Sequence, residues 1–359
     1  MKHSSTGPLL RLIQATICLL LVGCGAPAAQ APSAGASATA APSAPTTAAP
    51  SGATPATMTK LRTGYIPVVI FAPLFVGIER GYFKNEGIDI ELTPIQSGND
   101  AIVQLAAGNF DVAMGGANAG LYNAAKRGVK FTIVAPLHSE KAPLTSPLII
   151  SAKRTGEIKS IADLKGKKVA VNAVGAGTEY WLAQALAKGG LTMKDVTLIG
   201  MPFPNIPPAL ANGALDAAIV TEPLVTINKD KGVVAVLDDS FIDGFTATYV
   251  YMGDPLLSGK PEVAKAFMRA YIRASRDLQG SYMNDEIATI IEKYTKVPAA
   301  VLKRIPAPQY SPDGTVPVKD LEVLQEYFMG RGLLEYSDKL DMNTFVNTQL
   351  AADAAKEVK

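Results

Sequence analysis

Leu105-Ala106-Ala107-Gly108-Asn109-Phe110-Asp111-Val112-Ala113-Met114 is echoed by Leu210-Ala211-Asn212-Gly213-Ala214-Leu215-Asp216-Ala217-Ala218-Ile219, with Leu, Ala, Gly, Asp and Ala in register. Each copy compresses a helix end, a glycine C-cap, an acidic turn and a short apolar strand into ten residues. Gly87 and Gly190 stand at nearly the same offset, so the correspondence extends over most of a lobe. Duplication and convergent supersecondary logic read alike at this level. In either case the repeat predicts two similar lobes.

Around the first copy, strands at 61–66, 88–92 and 131–136 alternate with helices at 73–80, 99–107 and 117–127. Around the second, strands at 168–171, 196–200 and 233–237 alternate with helices at 178–188, 205–212 and 222–231. This alternation predicts βαβ units, and hence an α/β fold with mixed, mostly parallel sheets and flanking helices. A β segment at 245–252 returns to the first lobe. Beyond it, Val263, Phe267, Ala270, Ala274 and Leu278 share one helix face, and further helices are expected at 285–294, 298–304, 318–329 and 342–355. The expected organisation is a discontinuous first lobe, 60–150 plus 246–359, a second lobe, 151–245, and two hinge crossovers between them.

The 359 residues, 48% apolar and 18% charged, suffice for two ordinary cores. Formal charge is +2, and residues 1–23 carry that excess as Lys2 and Arg11, so the remainder is balanced. No basic cluster interleaved with aromatics points to nucleic acid. Basic residues flank an apolar run at 13–22, too short to span a membrane as a mature helix and suited to an export signal. It ends in Leu21-Val22-Gly23-Cys24, which resembles the bacterial lipobox, where the cysteine thiol receives diacylglycerol. Residues 1–23 are therefore expected to be a lipoprotein signal peptide and Cys24 the lipidation site. Several acyl chains at roughly 0.8 kcal/mol per buried CH2 would anchor the chain firmly. Cys18 lies within the signal, so the mature chain has no disulfide. Residues 24–59, rich in Ala, Pro, Ser and Thr and devoid of charge up to Thr59, read as a flexible lipidated linker.

Five features stand in order along the chain: the lipobox; Gly81-Tyr82-Phe83-Lys84-Asn85-Glu86-Gly87-Ile88; the repeated motif; Ile161-Ala162-Asp163-Leu164-Lys165-Gly166-Lys167-Lys168-Val169-Ala170-Val171; and Glu222-Pro223. Together they resemble the solute-binding proteins of ABC importers, in the branch that binds nitrate, taurine, alkanesulfonates, thiamine-pyrimidine precursors and riboflavin. The resemblance spans about 60–330 and implies the type II periplasmic-binding-protein fold. It also implies a small-molecule ligand held between closing lobes, a permease with its ATPase as partners, a monomer, and an extracytoplasmic, lipid-anchored location. No cofactor, metal or catalytic residue is called for.

Ligands of open α/β sheets bind beyond the carboxyl ends of strands. The first lobe then offers Tyr65, Phe71, Asn99, Gly115, Gly116 and Asn118; the second offers Gly175, Gly177, Thr178, Phe203, Asn205 and Glu222; and Tyr249 and Tyr251 lie near the hinge. Gly175-Ala176-Gly177-Thr178 opens a helix whose free amides can meet an oxygen-rich group, and it is not a dinucleotide fingerprint because Tyr180 occupies the third glycine's place. Asn118 and Glu222 are each either ligand contacts or helix caps. Asp111 and Asp216 precede their strands at the far end from the cleft and are expected to be structural.

Tyr180, with Trp181 one position further into its helix, adds to the aromatics near the expected cleft. Aromatic residues and the lack of arginine in these loops favour a neutral heteroaromatic, such as riboflavin or a thiamine-type pyrimidine, over nitrate or a sulfonate. An enzyme of the pyrimidine-synthase or desulfinase type, which the branch also resembles, is disfavoured for want of cysteine. His138, the sole histidine beyond the signal, is expected on a solvated loop and without a partner for a catalytic triad. A receptor-docking sensor would have the same cleft.

Overall fold

The computed structural model describes residues 58–358, and Cys24 and the expected signal and linker lie outside them, apart from Met58 and Thr59. Two five-stranded sheets carry the fold. The first has the order β2-β1-β3-β10-β4, with β1 (Thr59–Tyr65), β2 (Ile88–Pro94), β3 (Val112–Gly116), β4 (Phe131–Glu140) and β10 (Phe245–Gly253). The second has the order β7-β6-β8-β5-β9, with β5 (Leu148–Ser151), β6 (Lys168–Val171), β7 (Thr197–Gly200), β8 (Ala217–Ile219) and β9 (Val234–Asp238). In each sheet a parallel βαβαβ unit has one antiparallel strand, β10 or β5, inserted beside its third strand. Each inserted strand directly follows one of the two crossovers: the chain enters the second sheet between Glu140 and Leu148 and returns between Asp238 and Phe245.

The helices are α1 (Ala72–Glu79), α2 (Tyr82–Asn85), α3 (Gly98–Ala106), α4 (Ala119–Lys126), α5 (Gly177–Lys188), α6 (Ile206–Ala211), α7 (Leu224–Asp230), α8 (Asp254–Gly259), α9 (Pro261–Arg276), α10 (Asp285–Thr295), α11 (Ala299–Leu302), α12 (Val318–Gly330) and α13 (Thr348–Glu357). The apolar stripe of α9 buries Phe267, Ala270 and Ala274 in the first lobe's core. A second core runs across the lobes, where Tyr122 and Phe328 of the first join Tyr180 and Trp181 of the second. No described helix is long and apolar enough to cross a membrane.

The repeated motif has equivalent work in both sheets. Gly108 and Gly213 take positive φ, 72° and 81°, to end α3 and α6, so the chain can turn into β3 and β8. Asp111 then accepts from the Arg62 amide at 2.9 Å and Asp216 from the Lys168 amide at 2.8 Å, while both donate their own amides back. Each aspartate thus pins the start of the third strand to the first, in separate sheets, which leaves no carboxylate pair.

Two expectations need correction. The strand expected at 131–136 continues to Glu140, because β10 pairs with it over that length, so His138 is a buried strand residue and not a solvated loop residue. The helix expected at 342–355 is broken: a short turn at Met342–Phe345 precedes α13, whose Asn347 side chain accepts from the Leu350 amide.

Candidate functional site

The carboxyl ends of β1, β3, β6 and β8 converge on a narrow cleft between the sheets. The first lobe supplies Ile66, Val68, Ile70 and Phe71 after β1, Gly98 at the start of α3, Gly115, Gly116 and Asn118 around the end of β3, and Thr248 from β10. The second supplies Asn172, Ala176, Gly177, Thr178, Trp181, Phe203 and Thr221. None of these side chains carries a formal charge.

Local structure explains why these residues meet. Asn118 caps α4, its Oδ1 accepting from the Leu121 amide at 2.8 Å and its Nδ2 donating to the Gly116 carbonyl at 2.9 Å, so the side chain is a helix cap that also forms cleft wall. Gly98 and Gly115 allow α3 to lie directly on β3: a Cβ on Gly98 would stand 2.8 Å from the Gly116 nitrogen, and one on Gly115 2.9 Å from the Gly98 Cα. Their smallness serves this packing. In the second lobe, Thr178 donates to Asn172 at 2.5 Å, and α5 begins at Gly177 with no side-chain cap, so its first amides open toward the cleft. Gly177, Thr178 and Trp181 lie on one face of α5. Tyr180 points elsewhere, packing on Phe245 and Tyr327 of the first lobe with ring centroids 4.9 and 5.3 Å away.

Of the residues expected to contact ligand, Phe71, Gly115, Gly116, Asn118, Gly177, Thr178 and Phe203 line this cleft. Gly175 stands just outside, donating its amide to Glu179 at 2.7 Å and accepting from the Ala119 amide across the lobes at 2.8 Å. Tyr65 packs edge-on against Phe71 and Phe75 behind the cleft. Asn205 is exposed beside α6, and Asn99 is the second residue of α3, its side chain outside the described residues. Glu222 caps α7, accepting from the Thr226 amide at 3.0 Å and hydroxyl at 2.8 Å, and burial raises its pKa. Tyr249 and Tyr251 are fully buried in the core, with hydroxyls donating to the Thr246 and Gly115 carbonyls; burial pushes both phenols well above their ordinary range.

Sequence reasoning did not single out Asn172, Thr248 or the role of Trp181. Trp181 had a usable signal, its four-residue spacing from Gly177. Thr248 had none, because what marks it is a buried group behind the wall. His138 Nδ1 lies 2.6 Å from the Thr248 hydroxyl, and Nε2 lies 3.3 Å from Glu140. Glu140 also accepts from the Thr145 amide and hydroxyl, each at 2.8 Å. Burial raises the Glu140 pKa, but the His138, Ser146 and Thr145 hydrogen bonds outweigh it and hold the carboxyl below its ordinary value.

Two lobes joined by two crossovers around an uncharged interlobe cleft define the class of protein. The NMT1-like family matches residues 54–292, and the chain belongs to that family. It is 24% identical over 321 residues to the putative binding protein YtlA of Bacillus subtilis, covering 84% of this chain and 91% of that one. It is 25% identical over 267 residues to the riboflavin-binding protein RibY of Chloroflexus aurantiacus, covering 73% and 71%. Similarity also extends to the 4-amino-5-hydroxymethyl-2-methylpyrimidine phosphate synthase of Schizosaccharomyces pombe, 29% identical over 222 residues, 57% of this chain and 61% of that one. Among solved structures, the periplasmic nitrate-binding protein NrtA from Synechocystis superposes with a TM-score of 0.71 at 17% identity, covering 84% of this chain and 89% of that one. The shared fold is that of periplasmic binding proteins.

Proposed function

We propose that the chain is the extracytoplasmic solute-binding component of an ABC importer, held to the membrane through lipid on Cys24, and that its ligand is a small neutral heteroaromatic of the riboflavin or thiamine-pyrimidine kind. The observation that carries this reading is the character of the cleft wall: Phe71, Phe203 and Trp181 provide ring surfaces, Asn, Thr and backbone groups provide polar contacts, and among the described residues no Arg or Lys lines it to neutralise an anion. The lobes close on the solute and present it to a permease, driven by contacts made better in the closed state. The uncapped amides of α5 are the one feature that favours the second reading, nitrate or a sulfonate, since a helix amino terminus attracts negative charge. An enzyme of the pyrimidine-synthase type is less well supported, because Cys18 and Cys24 are the only cysteines and both precede the fold.

Calorimetric titration with riboflavin, the hydroxymethylpyrimidine, nitrate and taurine separates the readings. Tight binding of one heteroaromatic is expected, with Phe203→Ala weakening it by roughly tenfold or more through lost ring contact. Tight binding of an anion alone overturns the heteroaromatic reading. Lipidation is tested by labelled palmitate incorporation, expected in the wild type and lost in Cys24→Ser.

A further inference from the structure

Trp181 is the single tryptophan of the chain. It is 3% exposed, it lines the cleft, and its Nε1 is the one buried side-chain nitrogen or oxygen among the described residues that has no hydrogen-bond partner. A donor removed from water without an acceptor is costly, and native structures keep such groups for a reason. Its polar neighbours in the wall are engaged: Asn118 as a cap, Thr178 with Asn172, and Thr221 with Ser146 at 2.9 Å.

Thr248 differs in what it has left to offer. The Trp181 ring meets the His138 imidazole edge-on, centroids 6.0 Å apart, and Thr248 bonds the same imidazole. Ionised Glu140 can only accept, so the Nε2 that faces it carries a proton. The Thr248 hydroxyl lies 2.6 Å from Nδ1 and 3.3 Å from the His138 carbonyl, and its one proton serves one of these two. With either partner the Thr248 oxygen keeps at least one lone pair for the cleft that it lines.

We propose that the bound solute places an acceptor on the Trp181 indole N–H and a neighbouring donor on the Thr248 oxygen, so that the cleft selects a heterocycle with an amide-like edge, a carbonyl or ring nitrogen adjacent to an N–H. Trp181 and Thr248 are thereby the specificity-determining pair. The inference deepens the reading above and rests on the cleft being the ligand site.

One tryptophan gives one indole resonance in 15N-labelled protein, so the contact can be read without a substitution. Riboflavin, 3-methylriboflavin, the hydroxymethylpyrimidine and nitrate are the probes. The expected result is a downfield shift of the indole proton with riboflavin or the pyrimidine, affinity lowered roughly tenfold in Trp181→Phe and in Thr248→Val, and, if riboflavin is the binder, discrimination against its N-methylated form. A heteroaromatic that binds while the indole resonance stays put, with Trp181→Phe within twofold of wild type, overturns this inference and leaves the ligand class standing. Binding of nitrate alone, or of none of the four, overturns the class and the inference together.

Discussion

Asp111 and Asp216 show how a single side chain can hold a strand start in register. Asp111 also takes a bidentate contact from Arg62, and Asp216 an ion pair with Arg154 at 2.9 Å. Replacing either by Ala removes acceptors from a strand amide and an arginine, and should cost about 1–3 kcal/mol in urea denaturation while ligand affinity stays within twofold. The pH dependence follows from the direction of the shifts. Burial raises the Asp111 carboxyl, the Arg62 hydrogen bonds more than offset this, and the net value is lowered, as it is for Glu140. Unfolded carboxyls titrate near pH ~4, so these groups contribute fully above that and the contribution is lost as pH falls through the lower folded values. Denaturation midpoints at pH 7, 5 and 3 should therefore drop more steeply between the last two for wild type than for an Asp111→Asn/Glu140→Gln double variant. The aspartates were legible because the motif repeats. His138 was not, since its hydroxyl partner is 110 residues away and no local pattern announces a buried strand histidine.

Among the elements, the pairing of α3 with β3 decides where one wall of the cleft stands. Gly98→Ala would drive a methyl to 2.8 Å from the Gly116 nitrogen and 3.0 Å from its oxygen, backbone atoms that can yield only by moving the strand end. The expected result is about 1–3 kcal/mol of destabilisation by thermal or urea melts, together with weaker ligand binding, since Gly116 itself is cleft wall. Helices and strands in the α/β part could be read from the positive-φ glycines that stop them and from caps such as Ser97, which accepts from Asp100 while Asp100 accepts back. Misreadings fell where tertiary pairing overrode local pattern. The polar tail of β4 continues as strand because β10 satisfies it, and Glu222, read as either cap or contact, turns its carboxylate onto Thr226. The phase of β10 was likewise hidden: Tyr249 and Tyr251 enter the core while Thr248 reaches the cleft.

At the scale of the whole molecule the lobes are held together by more than the cleft. Arg331, just past α12, meets the fully buried Glu179 of α5 at 2.8 Å, and the Tyr327 hydroxyl donates to the same oxygen at 3.1 Å. Arg304, just past α11, pairs with Asp230 at the end of α7. None of these residues lines the cleft, although Glu179 also accepts from the Gly175 amide just outside it. Arg331→Ala leaves Glu179 buried without an ion-pair partner among the described residues, and should lower affinity roughly three- to tenfold, mainly through faster release, with ligand chemistry unchanged. Small-angle scattering on saturation with riboflavin or the pyrimidine, whichever binds, checks the motion: compaction is expected in wild type and should be smaller in the variant. The interleaved crossovers carry a consequence for synthesis. The second sheet is complete once residue 238 has emerged, whereas β3 and β4 of the first have a gap between them that only β10 fills. The first lobe is therefore obliged to finish last, so pulse-labelled hydrogen exchange during refolding should protect β6 and β8 before β3 and β4, and a nascent chain still short of residue 253 should leave the facing edges of β3 and β4 unpaired.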